Sequence, residues 1–222
     1  CFLKNMPLIN QRRVSDMHCA PTSAAMGLDA LIKSGVKIKK NSWTHKKFFR
    51  KNDKKKIKAF GRYMGTSKTG GTILVNKFAW RYKDVFKATK YSLSLHPLTK
   101  TYLNKWLIKK HIKRKQVNIL QYGHYNKNCT GIGSWKNCSY ARTGGHIVTV
   151  NGYYDGSKTN VHIYDPWGTK TGRKGKVKIR NLDRIGVEGP VDLRPYRNKT
   201  YRVYNKKNKW KIAEALYGIN SN

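Results

Sequence analysis

The sequence predicts an α+β domain in which N-terminal helices pack on an antiparallel sheet. Apolar residues recur at helical spacing in the first half of the chain. After residue 116 they give way to β-branched and aromatic runs that partly alternate. A third signal is the turn Asp155-Gly156-Ser157, which joins two of those runs as a hairpin, the connection that antiparallel strands use. Helices first and strands afterwards is the α+β order.

Each element has its own reason. Residues 1–18 read as an extended lead-in, with Pro7-Leu8-Ile9-Asn10-Gln11 beside the core. From Ala20 to about Lys33, Ala24, Ala25, Leu28, Leu31 and Ile32 fall at helical spacing. Pro21 suits the first turn and Ser34-Gly35 ends the helix. Residues 37–58 are polar, basic and aromatic, and read as short helices or loops. Ile73 to Phe86 reads as a second helix, with Phe78, Ala79 and Tyr82 on one face. Pro97 to Lys115 reads as a third, burying Leu103, Trp106, Leu107 and Ile108 beneath a basic opposite face. Strand character marks Gln116 to Tyr122, His146 to Tyr154 and Asn160 to Tyr164, and Lys174 to Arg180 alternates as a further strand. Residues 1–190 read as one domain. Residues 191–222 read as a basic, Tyr-rich extension packed on it, with Ile212 to Leu216 as a short terminal helix.

Composition narrows the function. No apolar run approaches the roughly 20 residues that span a bilayer. Forty-eight Lys and Arg stand against ten Asp and Glu, a net charge of +38. So large a charge repels itself, and an anionic polymer or surface (cell wall, nucleic acid or anionic lipid) is the expected neighbour. The plainer reading is a solvated, lysine-biased surface. Ten carboxylates leave little material for a two-metal nuclease or a paired-carboxylate glycosidase. No cofactor or metal is called for.

Four cysteines are present. Cys129 and Cys138 bracket a Gly- and Asn-rich loop that a disulfide would close, which would place the chain in an oxidising compartment, secreted or in the cell envelope. Free thiols or zinc ligation are the alternatives. The sequence opens on Cys1, the mark of a processed or trimmed chain, with Cys1 a lipidated terminus, a disulfide partner or a simple boundary.

The chemistry concentrates in three segments. Cys19 begins the helix Cys19-Ala20-Pro21-Thr22-Ser23-Ala24-Ala25-Met26. His146 opens the strand that runs from Gly145 to Gly152-Tyr153, and Asp165 ends the next in Asp165-Pro166-Trp167. A thiol at a helix N-terminus meets unpaired N–H groups and the positive end of the dipole, which favour thiolate. An imidazole beside it can protonate a leaving group, and a carboxylate behind the imidazole fixes its tautomer. Gln11, eight residues before the thiol, carries an amide that can join the Cys19 N–H on an oxyanion. Alone, each has an ordinary reading: a buried cysteine is usually a small hydrophobe, and an isolated histidine is usually structural. The four in this order are more specific.

This arrangement resembles the papain-like cysteine peptidases of the bacteriocin-processing, double-glycine leader type and their wider relatives. In that group a glutamine precedes a Cys-Gly-Pro-Thr/Ser-Ala-Ala-like helix start, and a Gly-His strand and an Asp-Pro turn follow. The likeness runs over about residues 7–168. It implies a papain-like fold with Cys19 as nucleophile, His146 as general base and acid, Asp165 as orienting partner and Gln11 as oxyanion donor. Ala20 departs from the pattern, standing where a glycine is common.

The expected function is a secreted cysteine peptidase acting through a thioester, its substrate a cell-wall cross-link peptide or a target-cell protein. Glutamine deamidation or transglutamination would use the same triad. From a different class, a polyanion-binding protein on a papain-like scaffold would also carry this charge. Gly65-Thr66-Ser67-Lys68-Thr69-Gly70-Gly71-Thr72 is like a phosphate loop, but Gly71 stands where its lysine belongs, so a flexible loop is the better reading. His18 reads as a packing or capping residue and Trp167 as a core or cleft-wall aromatic. Tyr196, Tyr201 and Tyr204 are candidates for stacking or for core.

Overall fold

Helix α1 (Cys19–Lys33) is buried on every side from Ala20 to Leu31. A helix sunk in this way needs apolar or small residues all round. Ala20, Ala24, Ala25, Gly27 and Ala30 provide them and let neighbours approach closely. Ser34 closes the helix, and Gly35 follows at φ 94°, a left-handed conformation that costs glycine little. The computed structural model describes residues 5–38, 40–41, 43–70, 87–92, 112–114, 117–133, 137–154, 160–167, 173–178, 205–206 and 209–220.

A short 3-10 turn (Gln11–Arg13) precedes α1. The lead-in lies against the core as expected: Ile9, Asn10 and Gln11 are buried, and Ile9 N–H donates to Met26 Sδ at 3.4 Å. Two further helices follow, α2 (Trp43–Lys47) and α3 (Asp53–Met64). Helix α3 is longer than the short pieces expected there, and its signals are local. Asn52 accepts from Lys55 N–H as N-cap, Asp53 occupies the first turn, and Gly65 ends the helix at φ 69°. Ile57, Phe60, Gly61 and Met64 form its buried stripe at helical spacing, interleaved with lysines that obscure the pattern. Phe48, Phe60, Ile57 and Met64 join Ile9, Met26, Leu28 and Leu31 as the largest fully buried side chains. Burying each is worth ~1.5–3 kcal/mol.

Strands β1 (Lys87–Ser92), β2 (Val117–Thr130), β3 (Asn137–Tyr154), β4 (Asn160–Asp165), β5 (Arg173–Lys178), β6 (Asn205–Lys206) and β7 (Lys209–Asn220) form one antiparallel sheet. Its order is β1-β7-β2-β3-β4-β5, with β6 on β7. Helix α1 packs between this sheet, on β2 and β3, and helix α3. The architecture is the expected one, N-terminal helices against an antiparallel sheet.

Two expectations are corrected. Ile212 to Leu216 is strand, part of β7 between β1 and β2. Its run Ala213-Glu214-Ala215-Leu216 favours helix, but so short a segment cannot hold one alone; β2 supplies ladder partners on one side through the segment, and β1 on the other from Ala215 onward. Strands β2 and β3 also run beyond the expected segments, to Thr130↔Asn137, and this brings Cys129 directly opposite Cys138. Their Asn-, Lys- and Gly-rich ends have weak strand propensity, which pairing overrides. The expected helix at Ile73 to Phe86, the turn at Asp155-Gly156-Ser157, and Tyr196, Tyr201 and Tyr204 lie outside the described residues. So does the helix from Pro97 to Lys115, apart from residues 112–114. Gly65 to Gly70 caps α3 and turns through Ser67, whose Oγ accepts from Gly70 N–H at 2.7 Å.

One charged pair crosses the helical layer. Lys56 Nζ donates to Asp29 Oδ2 at 2.6 Å, the side chains only 13% and 11% exposed. Burial raises the Asp29 carboxyl above its ordinary value and outweighs the opposing pull of Lys56.

Candidate active site

Cys19 is the first residue of α1, half-buried, after His18 as N-cap. The first intrahelical bond runs from Thr22 N–H to His18 C=O at 3.0 Å. The N–H groups of Cys19 and Ala20 precede it, and Pro21 has none, so the thiol stands at the electropositive end of a buried helix. Ala20 is 1% exposed within the core, so its methyl packs inward.

What brings the thiol to the sheet is a pair of reciprocal bonds one helical turn further on. Ser23 Oγ donates to Ile147 C=O at 2.9 Å, and Thr149 Oγ1 donates to Ser23 C=O at 2.9 Å, both buried. Ser23 lies four residues after Cys19, and Ile147 is the neighbour of His146. The clamp therefore sets the register of helix against strand at the point where nucleophile and base must meet. A polar residue inside an apolar helix was its only signal in the sequence.

His146 lies between the other two groups. Its Nε2 is 2.6 Å from Asp165 Oδ1, with the side chains 12% and 6% exposed. On its other side the imidazole faces Cys19, close enough for the sulfur to raise its pKa, and Nδ1 is the nitrogen left for it. Burial is the largest single influence on the imidazole and lowers its pKa. The hydrogen bonds to Asp165 and Cys19 and the charges of both together outweigh it and push His146 up to about 9. The imidazole is therefore a cation at neutral pH, its Nε2–H donated to the carboxylate and its Nδ1–H facing the sulfur. Asp165 also accepts the Trp167 N–H on the same Oδ1, at 2.8 Å, which holds its carboxylate in place.

Gln11 comes to the same corner. Its backbone N–H donates to Pro166 C=O at 2.9 Å, tying the lead-in to the turn after Asp165. Its side-chain NH2 donates to the Asp16 carbonyl, and its Oε1 is buried without a partner among the described residues. The guanidinium of Arg12 lies 4.2 Å over the Trp167 ring and bonds Asp16 Oδ1 at 3.1 Å, closing the rim of the site. No motif in the sequence singles out Arg12 for this place.

His18 stands apart from this chain of groups. Its Nδ1 is 2.7 Å from Ser15 Oγ, burial lowers its pKa, and its ring fills the space beside Gly61. A Cβ on Gly61 would come within 2.8 Å of His18 Nε2, so this histidine packs α1 against α3. Among the described residues no cluster of His, Cys, Asp or Glu could hold a metal ion.

The arrangement can do nucleophilic acyl chemistry: a thiol at a helix N-terminus, an imidazolium within reach of its sulfur, and a fixed carboxylate behind. Residues 3–184 match the model of the Peptidase_C39 like family, a span that takes in Gln11, Cys19, His146 and Asp165. No curated protein matches the chain significantly.

Proposed function

We propose a specific task for this chain, which belongs to the Peptidase_C39 like family and is a cysteine peptidase: it cleaves peptide bonds in substrates carried on or beside an anionic polymer or surface. In this reading Cys19 is the nucleophile. Its thiolate adds to the scissile carbonyl carbon, and the carbonyl oxygen becomes an oxyanion. His146 passes its Nδ1 proton to the leaving amine as the C–N bond breaks, which leaves a thioester. A water, deprotonated by the same nitrogen, then attacks the thioester and releases the acid and the thiolate. Asp165 keeps Nδ1 turned toward the sulfur and balances the charge. Cys19 N–H and the second hydrogen of the Gln11 amide are the oxyanion donors we assign, the first hydrogen being given to Asp16.

The observation that carries this reading is His146 held between Asp165, at 2.6 Å, and Cys19. The net charge of +38 supports the anionic setting. Cell-wall cross-link peptides and target-cell proteins are the two substrate classes to try, the first because wall polymers are both anionic and peptide-linked. Secretion or an envelope location fits a disulfide between Cys129 and Cys138, which we also propose from their facing positions.

The test is labelling with iodoacetamide and an epoxide probe, comparing wild type, Cys19→Ala and His146→Ala. Rapid modification confined to Cys19 and slowed by His146→Ala is the expected result, followed by turnover of wall peptides or protein substrates. Labelling no faster than a model thiol, or indifferent to His146→Ala, would overturn the assignment.

A further inference from the structure

The outer face of α3 is cationic. Lys55, Lys58 and Arg62 follow one another at three- and four-residue intervals, opposite the buried stripe of Ile57, Phe60 and Met64. With Lys46 and Lys47 at the end of α2 and Lys51 between the helices, they line a groove of ≈ 680 Å³. Trp43 and Tyr63 line it too, their rings 5.1 Å apart, and Trp43 is backed by the edge of Phe60 at 5.5 Å.

No carboxylate lines this groove. The two nearest in sequence are engaged elsewhere, Asp29 with Lys56 and Asp53 with Arg13 at 3.4 Å. Six like charges thus crowd one concave surface without a counter-charge among the described residues, an arrangement that costs stability unless an anion enters. Lysines on a merely solvated face would serve as well on a convex surface and would need no aromatic pair among them. Cations spaced to follow a phosphate backbone, with rings on which bases stack, are the two components of single-strand recognition.

We propose that this groove binds single-stranded nucleic acid. It gives the anionic partner of the preceding section a chemical identity, but it rests on the groove alone and stands whether or not Cys19 is catalytic. Bound in this way, the enzyme would be held beside proteins carried on the strand.

The test is fluorescence anisotropy of a labelled 15-nucleotide dT strand between 50 and 200 mM NaCl. Inorganic polyphosphate of equal charge serves as competitor. Lys55→Gln/Lys58→Gln/Arg62→Gln is expected to weaken binding at least ~10-fold at 100 mM salt and to lower the log–log salt slope by about 2. Lys37→Gln/Lys40→Gln/Lys68→Gln, which removes as much charge from exposed positions outside the groove, is expected to change little. Trp43→Leu is expected to weaken dT binding about tenfold and to leave polyphosphate binding unchanged. Tyr63→Leu repeats that test should Trp43→Leu misfold. Equal losses from the two triple variants would overturn the proposal. So would polyphosphate binding as tight as dT with no effect of either aromatic substitution, which would point to a polymer without bases. Alkylation of Cys19, followed in the same variants, is expected to be unchanged, so failure of the binding and of the catalytic reading are told apart.

Discussion

Asp165→Asn isolates charge from hydrogen bonding at the site. Asparagine can still offer an oxygen to His146 Nε2 and to Trp167 N–H, as Asp165 does at 2.6 and 2.8 Å. What disappears is a unit of negative charge whose centre lies ~4 Å from that of the imidazolium. At the effective dielectric of ~20 that suits such sites, the attraction lost is ~4 kcal/mol. The retained amide dipole offsets part of it, so the net effect is a fall of ~1–3 pH units in the midpoint of His146. The assay is an imidazole 15N titration, with His146→Gln identifying the resonance. Wild type should titrate at about 9, and the variant well below it. At pH 8 wild type still holds most of its imidazolium, while a variant with a midpoint of ~6–8 has lost half or more of it and with it the partner of the thiolate, so alkylation of Cys19 at pH 8 should slow several-fold. A wild-type midpoint at or under 6.5, or one that Asp165→Asn leaves in place, would refute the reasoning.

Other expectations follow from the same geometry. Thr149→Val keeps shape but removes a buried bond to Ser23 C=O, and should cost ~1 kcal/mol in urea titrations while also slowing Cys19 alkylation. Gly61→Ala drives a methyl against the buried His18 ring and should cost ~1–3 kcal/mol by the same titration. Lys56→Met leaves the buried Asp29 carboxyl without its hydrogen-bonded partner and with only the more distant charge of Lys33, at a cost of ~3 kcal/mol, whereas Asp29→Leu/Lys56→Met should recover most or all of it. A folded-state pKa for His146 raised from 6.5 to about 9 means that its contribution to stability is full below pH 6.5 and fades as pH climbs through 9. The stability gap between wild type and His146→Gln, from denaturant midpoints, should therefore narrow over that interval.

Much of this was legible because it is local. The start of α1 announced itself through Cys19, Pro21 and its alanines, and its end through Ser34-Gly35. The order Gln11, Cys19, His146, Asp165 held enough spacing information to name candidate residues; the structure sets His146 between Asp165 and Cys19 and ties the Gln11 backbone to the turn after Asp165. What escaped was set by distant parts of the chain. Ser23 and Thr149 are ordinary residues until a helix and a strand more than 120 residues apart in sequence exchange bonds through them. Helix α3 hid because lysines fill its exposed positions, and composition drew attention from the stripe of Ile57, Phe60 and Met64. Strand β7 misled for a different reason, since Ala213-Glu214-Ala215-Leu216 favours helix locally and only the vacant place between β1 and β2 decides otherwise.

The clamp through Ser23 and Ile147 also orders events in time. The residues it joins are 124 apart, a stretch that a ribosome takes ~6–25 s to add. Throughout that interval the thiol segment is outside or leaving the exit tunnel while the strand bearing its base has not been made. The nascent chain therefore carries a cysteine with no imidazolium to ionise it. By this order of residues the pairing of Cys19 with His146 can form only once the later-made strand has docked on the first-made helix.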